Sequence, residues 1–162
     1  MKPIFVILMS LTTAAVALAE PVPFDTYDGY FVSNRFEPDA PTSFVALADQ
    51  KAFDNVFGVA FVMRDQSHRL PPDVFQTRLV VAAIHRGRAV VTYKVETVSA
   101  EAKTLVVRYT TQSEPHPTAE FACPLILSVA KGEYNAVRFV ENGKTVKQLP
   151  LTGTTIRNGK TT

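Results

Sequence analysis

The unbroken apolar run Leu79-Val80-Val81-Ala82-Ala83-Ile84 constrains this chain more than any other feature. Successive side chains of a strand point to opposite faces, so a run with no polar phase has to be dry on both sides. Its length and its β-branched residues predict a central, covered strand within Phe75 to Ile84. The neighbouring segments carry the complementary pattern. In Val90 to Val98, Val91, Tyr93 and Val95 alternate with Thr92, Lys94 and Glu96, and in Leu105 to Thr111, Leu105, Val107 and Tyr109 alternate with Arg108 and Thr110. Each has one buried and one wet face, and the pair is expected to form an antiparallel hairpin across Ser99 to Lys103. His85-Arg86-Gly87-Arg88 is read as the turn that leads into it.

The last third repeats the device, with an apolar strand over Phe121 to Val129, a turn at Lys131-Gly132-Glu133 and a returning strand over Ala136 to Val140. Asn142-Gly143 is the clearest hairpin turn, because both residues accept the positive φ of a type I′ turn. A two-residue loop there pairs Glu141 with Lys144, Val140 with Thr145, and Phe139 with Val146. Upstream, Glu20 to Asp28 reads as an irregular lead, and Tyr30 to Asn34, Ser43 to Leu47 and Val59 to Met63 read as extended. A polar loop is expected over Arg64 to Pro72. One helix is expected at about 49–57, with Asp49 as N-cap, Phe53, Val56 and Phe57 on one face to pack on a sheet, and Gly58 as its stop. The fold class that follows is mainly β: a β-sandwich or strongly twisted antiparallel sheet of seven to nine strands carrying one short helix.

At its start the chain has a short positive region, Met1-Lys2, an apolar region from Ile4 to Leu11, and the small-x-small pattern Ala17-Leu18-Ala19. Those are the parts of a cleavable signal peptide, cut after Ala19. The apolar stretch is short for a bilayer span and lacks a basic stop-transfer cluster, so no integral membrane anchor is expected. The organisation expected is a signal peptide over 1–19, a single exported β domain over 20–151 and a flexible tail over 152–162, with a periplasmic or secreted destination. One cysteine in 162 residues allows no internal disulfide, so the core has to hold the domain. Seventeen basic and fifteen acidic residues give a formal net charge of +2, too balanced to point to nucleic acid.

The stretch from about Leu70 to Val140 resembles the PrcB-type domain, the small exported β domain of the non-catalytic subunit of a bacterial chymotrypsin-like protease complex. The resemblance lies in the order of its parts. Pro72, Asp73 and Phe75 precede an apolar strand, and Gly87 marks a short turn before a strand with inward Tyr93. The partner strand Leu105 to Tyr109, a loop with Pro115 and Pro117, and the apolar strand Pro124 to Val129 follow. Where that family has paired glycines before the aromatic, this chain has Val91 and Thr92. The resemblance implies an exported binding role, association with an exported protease, and no catalytic residues.

Chemistry-bearing motifs are sparse. His68, His85 and His116 have no His-x-x-x-His spacing, no cofactor motif is present, and neither a glycine-rich phosphate loop nor a Gly-x-Ser-x-Gly elbow occurs. Asp65 with His68, and Glu114 with His116, are the nearest approaches to metal-ligand pairs, and no metal site is expected from them. Cys123 lies in an apolar strand, where cysteine behaves as a small hydrophobe. The candidate binding residues are therefore His85, Arg86 and Arg88 at one turn and Arg64, His68 and Arg69 in a second basic loop, suited to a carboxylate or acidic partner. Tyr27, Tyr30 and Phe31 add aromatic surface or close the core. These features favour a non-catalytic domain that binds another exported protein, with homodimerisation through a sheet edge left open. A small-molecule carrier and a hydrolase without a recognisable motif are the alternatives.

Overall fold

A computed structural model describes residues 19–60 and 68–151 of the chain. Residues 1–18 of the expected signal peptide, the expected tail over 152–162 and part of the polar loop containing Arg64 lie outside the described residues. The fold is mainly β, with strands β1 (Glu20–Pro21), β2 (Phe24–Tyr27), β3 (Tyr30–Val32), β4 (Thr42–Leu47), helix α1 (Gln50–Val56) and strand β5 (Phe57–Val59) in the first part. A short helix α2 (Val74–Thr77) then leads into β6 (Arg78–Gly87), β7 (Ala89–Glu101), β8 (Thr104–Pro115), β9 (Phe121–Ala130), β10 (Ala136–Glu141) and β11 (Lys144–Pro150). The strands make a five-stranded sheet in the order β1-β7-β8-β10-β11, a four-stranded sheet in the order β2-β9-β6-β4, and a ribbon of β3 and β5.

The apolar run explains the layering. Leu79, Val81 and Ala83 of β6 face the five-stranded sheet and pack with Leu105, Val107, Tyr109, Val137 and Phe139. Val80, Ala82 and Ile84 face the other way, into a second core with Phe53, Val56 and Phe57 from α1 and its end and Val32 from the ribbon. β6 is thus covered twice, between β9 and β4, as a two-sided apolar strand requires. Asp49 caps α1, its Oδ1 accepting from the Ala52 N–H at 2.8 Å, and the helix lays its phenylalanine face on β6 as its spacing implied. Burial of each such large side chain is worth roughly 1.5–3 kcal/mol, enough to hold a helix too short to persist alone.

Several local expectations are corrected. The proline-containing lead is not irregular: it supplies β1, paired with Ser99 and Ala100 of β7, and β2, paired with β9. Both lie at sheet edges, where a residue without an N–H is tolerated. A second helix appears because Val74 N–H bonds back to Pro71 O and Gln76 N–H to Asp73 O, winding Phe75 into a turn rather than a strand. Among the described residues these additions raise the strands to eleven and the helices to two. Gly58 does not stop α1 by a left-handed backbone. It lies in β5 opposite Phe31, where an added Cβ would come within 2.3 Å of the Phe31 ring.

The largest correction concerns topology. β10 does not return beside β9 but crosses to the other sheet and pairs in parallel with β8, from Ala136 opposite Thr104 to Glu141 opposite Tyr109. The Asn142-Gly143 turn forms with φ of 48° and 79°. It aligns Glu141 with Lys144 and Val140 with Thr145, after which a register shift sets Phe139 opposite Lys147 instead of Val146. Similarly, His85, Arg86 and Gly87 are the end of β6 rather than a loop. The chain changes sheet over Gly87 (φ 147°) and Arg88 to begin β7. Among the described residues no helix is long and apolar enough to cross a membrane.

Candidate functional site

The end of β6 carries His85 and Arg86 to opposite faces of one strand, and each anchors a different polar assembly. His85 continues the phase of Leu79, Val81 and Ala83 into the space between the sheets. There its Nε2 lies 3.0 Å from Glu141 Oε2, and Glu141 also accepts from Tyr109 OH at 3.1 Å and Thr111 Oγ1 at 3.2 Å. Tyr93 closes the cluster, its hydroxyl donating to Cys123 O at 2.7 Å and its ring 5.8 Å edge-on from His85. Burial raises the Tyr93 hydroxyl well above its ordinary value, helped by Cys123 and Glu141 and opposed by a backbone bond from His85. Burial also raises Tyr109, and the charge and hydrogen bond of Glu141 raise it further, because both favour the protonated phenol.

This assembly plugs one end of the inter-sheet core. Cys123 is the register partner of His85 on β9, yet its Sγ accepts from the Val91 N–H at 3.3 Å while His85 is bonded to Glu141. The nucleophile-to-base hydrogen bond of a thiol catalyst is not made here. Every buried polar side-chain atom among the described residues has a partner.

On the other face, Arg86 ties down the segment between β3 and β4. Its Nη1 donates to Ala40 O at 3.2 Å and Ser43 Oγ at 2.8 Å, its Nη2 to Phe36 O at 2.8 Å, and its guanidinium stands 5.9 Å over the Phe36 ring. Beside it opens a cleft of about 290 Å³ lined by Val32, Ser33, Asn34, Arg86, Glu120 and Phe121 among others. Arg88 is exposed at the corner, 4.0 Å from Glu120.

The second basic loop is placed elsewhere. His68 Nδ1 lies 2.7 Å from Asp28 and Arg69 reaches Ala60 O at 3.5 Å, at the Gly29 and Ala60 end of the β3–β5 ribbon. The cleft lies at the Val32 end, so the ribbon separates the two basic groups. Arg64 and Asp65 fall outside the described residues. His116 is occupied in shaping its loop, Nδ1 accepting from Thr118 and Ala119 N–H at 3.3 and 2.9 Å. Among the described residues no group of three or more His, Cys, Asp or Glu is arranged to hold a metal ion. Of the early aromatics, Tyr27 bonds Ser128 and Tyr30 packs edge-on to Phe53, whereas Phe31 remains 53% exposed, lying across Gly58.

Sequence reasoning passed over Glu141, Ser33 and Asn34. A signal for Glu141 was present: it shares the phase of Val137 and Phe139, and a carboxylate in the buried phase of a strand calls for partners. Nothing local marks Ser33 or Asn34, which meet Arg86 only across the fold. Compared with protein-family models, curated proteins and solved structures, the chain matches none.

Proposed function

We propose that this chain is an exported, non-catalytic interaction domain whose partner is another exported protein, and that it binds through the face formed by the β3–β5 ribbon and the cleft beside Arg86. The observation that carries the reading is Phe31. A phenylalanine 53% exposed is held flat on a strand glycine that leaves no room for a side chain of its own. An exposed aromatic packed on a backbone with no side chain beneath it is the kind of residue that anchors an interface. The leader pattern Met1-Lys2, Ile4 to Leu11 and Ala17-Leu18-Ala19 supports export. The resemblance of Leu70 to Val140 to the PrcB-type domain supports a protease-associated partner.

The test is cross-linking and affinity capture with the chain from Glu20 onward in an exported-protein fraction, bound proteins being identified by mass spectrometry. The expected result is near-stoichiometric recovery of one exported protein, lost with Phe31→Ser. Val146→Ser, which alters another exposed apolar residue on β11, is expected to leave capture intact. Recovery of nothing above background, or equal loss with both variants, would sink the proposal.

A further inference from the structure

We infer that the cleft beside Arg86 binds a carboxylate, either a free small carboxylate or the terminal carboxylate of a peptide chain. The inference deepens the partner-binding reading of this face and rests on it. A guanidinium has five N–H donors, and Arg86 uses three of them, on Phe36 O, Ala40 O and Ser43 Oγ, all neutral acceptors. Among the described residues it has no carboxylate partner. Arg78, Arg108 and Arg138, partly buried as Arg86 is, each have one: Asp25 at 2.7 Å, Glu101 at 2.7 Å and Glu101 at 3.4 Å. A cation drawn partly out of water without a counter-charge is destabilised until an anion arrives. Here the head group is also locked by two backbone carbonyls and an aromatic ring, so little ordering remains to be done when a ligand binds.

The Nε–H and one Nη2–H of Arg86 make no bond among the described residues, so two donors remain to offer a carboxylate. The Ser33 hydroxyl accepts from Arg35 N–H at 3.3 Å and keeps its own proton to donate. The Asn34 side-chain amide makes no hydrogen bond among the described residues. Val32 and Phe121 offer apolar wall to the remainder of a ligand, and about 290 Å³ suits a small molecule or a chain end. Glu120 stands at the rim, its side chain 78% exposed and 4.0 Å from Arg88. With Arg86 inside and Arg88 beside the Glu120 carboxylate at the rim, the local balance is one net positive charge, which favours a monoanion over phosphate.

The experiment follows the Arg86 Nε–H and the Asn34 amide by nitrogen–proton correlation spectroscopy of the folded chain. The probes are acetate, acetyl-trialanine with a free carboxylate, its C-terminal amide, and inorganic phosphate. Saturable shifts of both groups are expected with acetate and the free peptide, and the amide is expected to bind at least ~10-fold more weakly. Tighter binding of the peptide than of acetate assigns the site to a chain end, and equal binding assigns it to free carboxylates. Glu120→Gln should tighten both and Asn34→Ala weaken both. Arg86→Gln should abolish the response, and if it fails to fold the other two variants decide. An unmoved Arg86 Nε–H, equal response to acid and amide, or tighter saturation by phosphate would overturn the inference. Carboxylate binding without any captured protein removes the interaction reading and keeps the site, whereas capture that depends on Phe31 without a carboxylate response does the reverse.

Discussion

At the scale of single residues, the polar plug between the sheets depends on Glu141. Its carboxylate accepts from Tyr109 and Thr111 and faces His85 at 3.0 Å, with only 15% of its side chain exposed. Removing a shared acceptor leaves several polar groups unpartnered in a poorly hydrated space, which costs more than the net worth of any one bond. Glu141→Ala is expected to destabilise the domain by about 2 kcal/mol in equilibrium denaturation. A double-mutant cycle with His85→Ala should show coupling between the two. A loss indistinguishable from that of an exposed glutamate such as Glu96 would mean that the plug contributes no stability. Sequence alternation was sufficient to place Tyr93 and Tyr109 inward, but the strand pairing that brings His85 and Glu141 together is not encoded in either residue's neighbours.

At the scale of elements, the β10–β11 hairpin shows a local rule at work inside a non-local arrangement. Asn142 holds φ at 48° and its side chain reaches across to β8, Oδ1 accepting from Thr111 N–H at 3.1 Å and Nδ2 donating to Thr111 Oγ1 at 3.0 Å. The turn therefore fastens the parallel β8–β10 pair as well as closing its own hairpin. Asn142→Ala, which incurs left-handed strain and loses both bonds, should destabilise by about 1–2 kcal/mol. Asn142→Gly relieves the strain and loses the bonds, so it should cost less than the alanine variant. Chemical denaturation of the two proteins checks the order, and equal losses would show that side-chain bonding alone matters, whereas the reverse order would contradict the strain argument. The register shift between Phe139 and Val140 lay beyond a two-residue turn rule, which fixes only the pairs next to the turn.

For the whole molecule, the buried tyrosines set an alkaline limit. Tyr93 and Tyr109 have folded-state values raised above the ordinary 10.0, burial being the first cause. A raised value means that the folded state holds the proton more tightly than the unfolded chain. The stability this contributes is complete below about pH 10 and is lost as pH climbs through the folded values. Tyrosinate absorbance and far-UV circular dichroism should therefore change together in strong alkali, with part of the five-tyrosine signal appearing only on unfolding. Titration of all five near pH 10 with unchanged dichroism would contradict this. By itself, the sequence determined the mainly β class, the two-sided burial of Leu79 to Ile84, the Asp49 cap and its helix, and the Asn142-Gly143 turn. Each depends on periodicity or on the backbone preferences of adjacent residues. Only the tertiary structure decided that β10 crosses to pair with β8, that the lead forms edge strands, that Arg86 turns away from His85 to bind the 36–43 segment, and that Phe31 stays on the surface. Those outcomes depend on which strands meet, and that is settled by the packing of two shared cores rather than by any run of neighbouring residues.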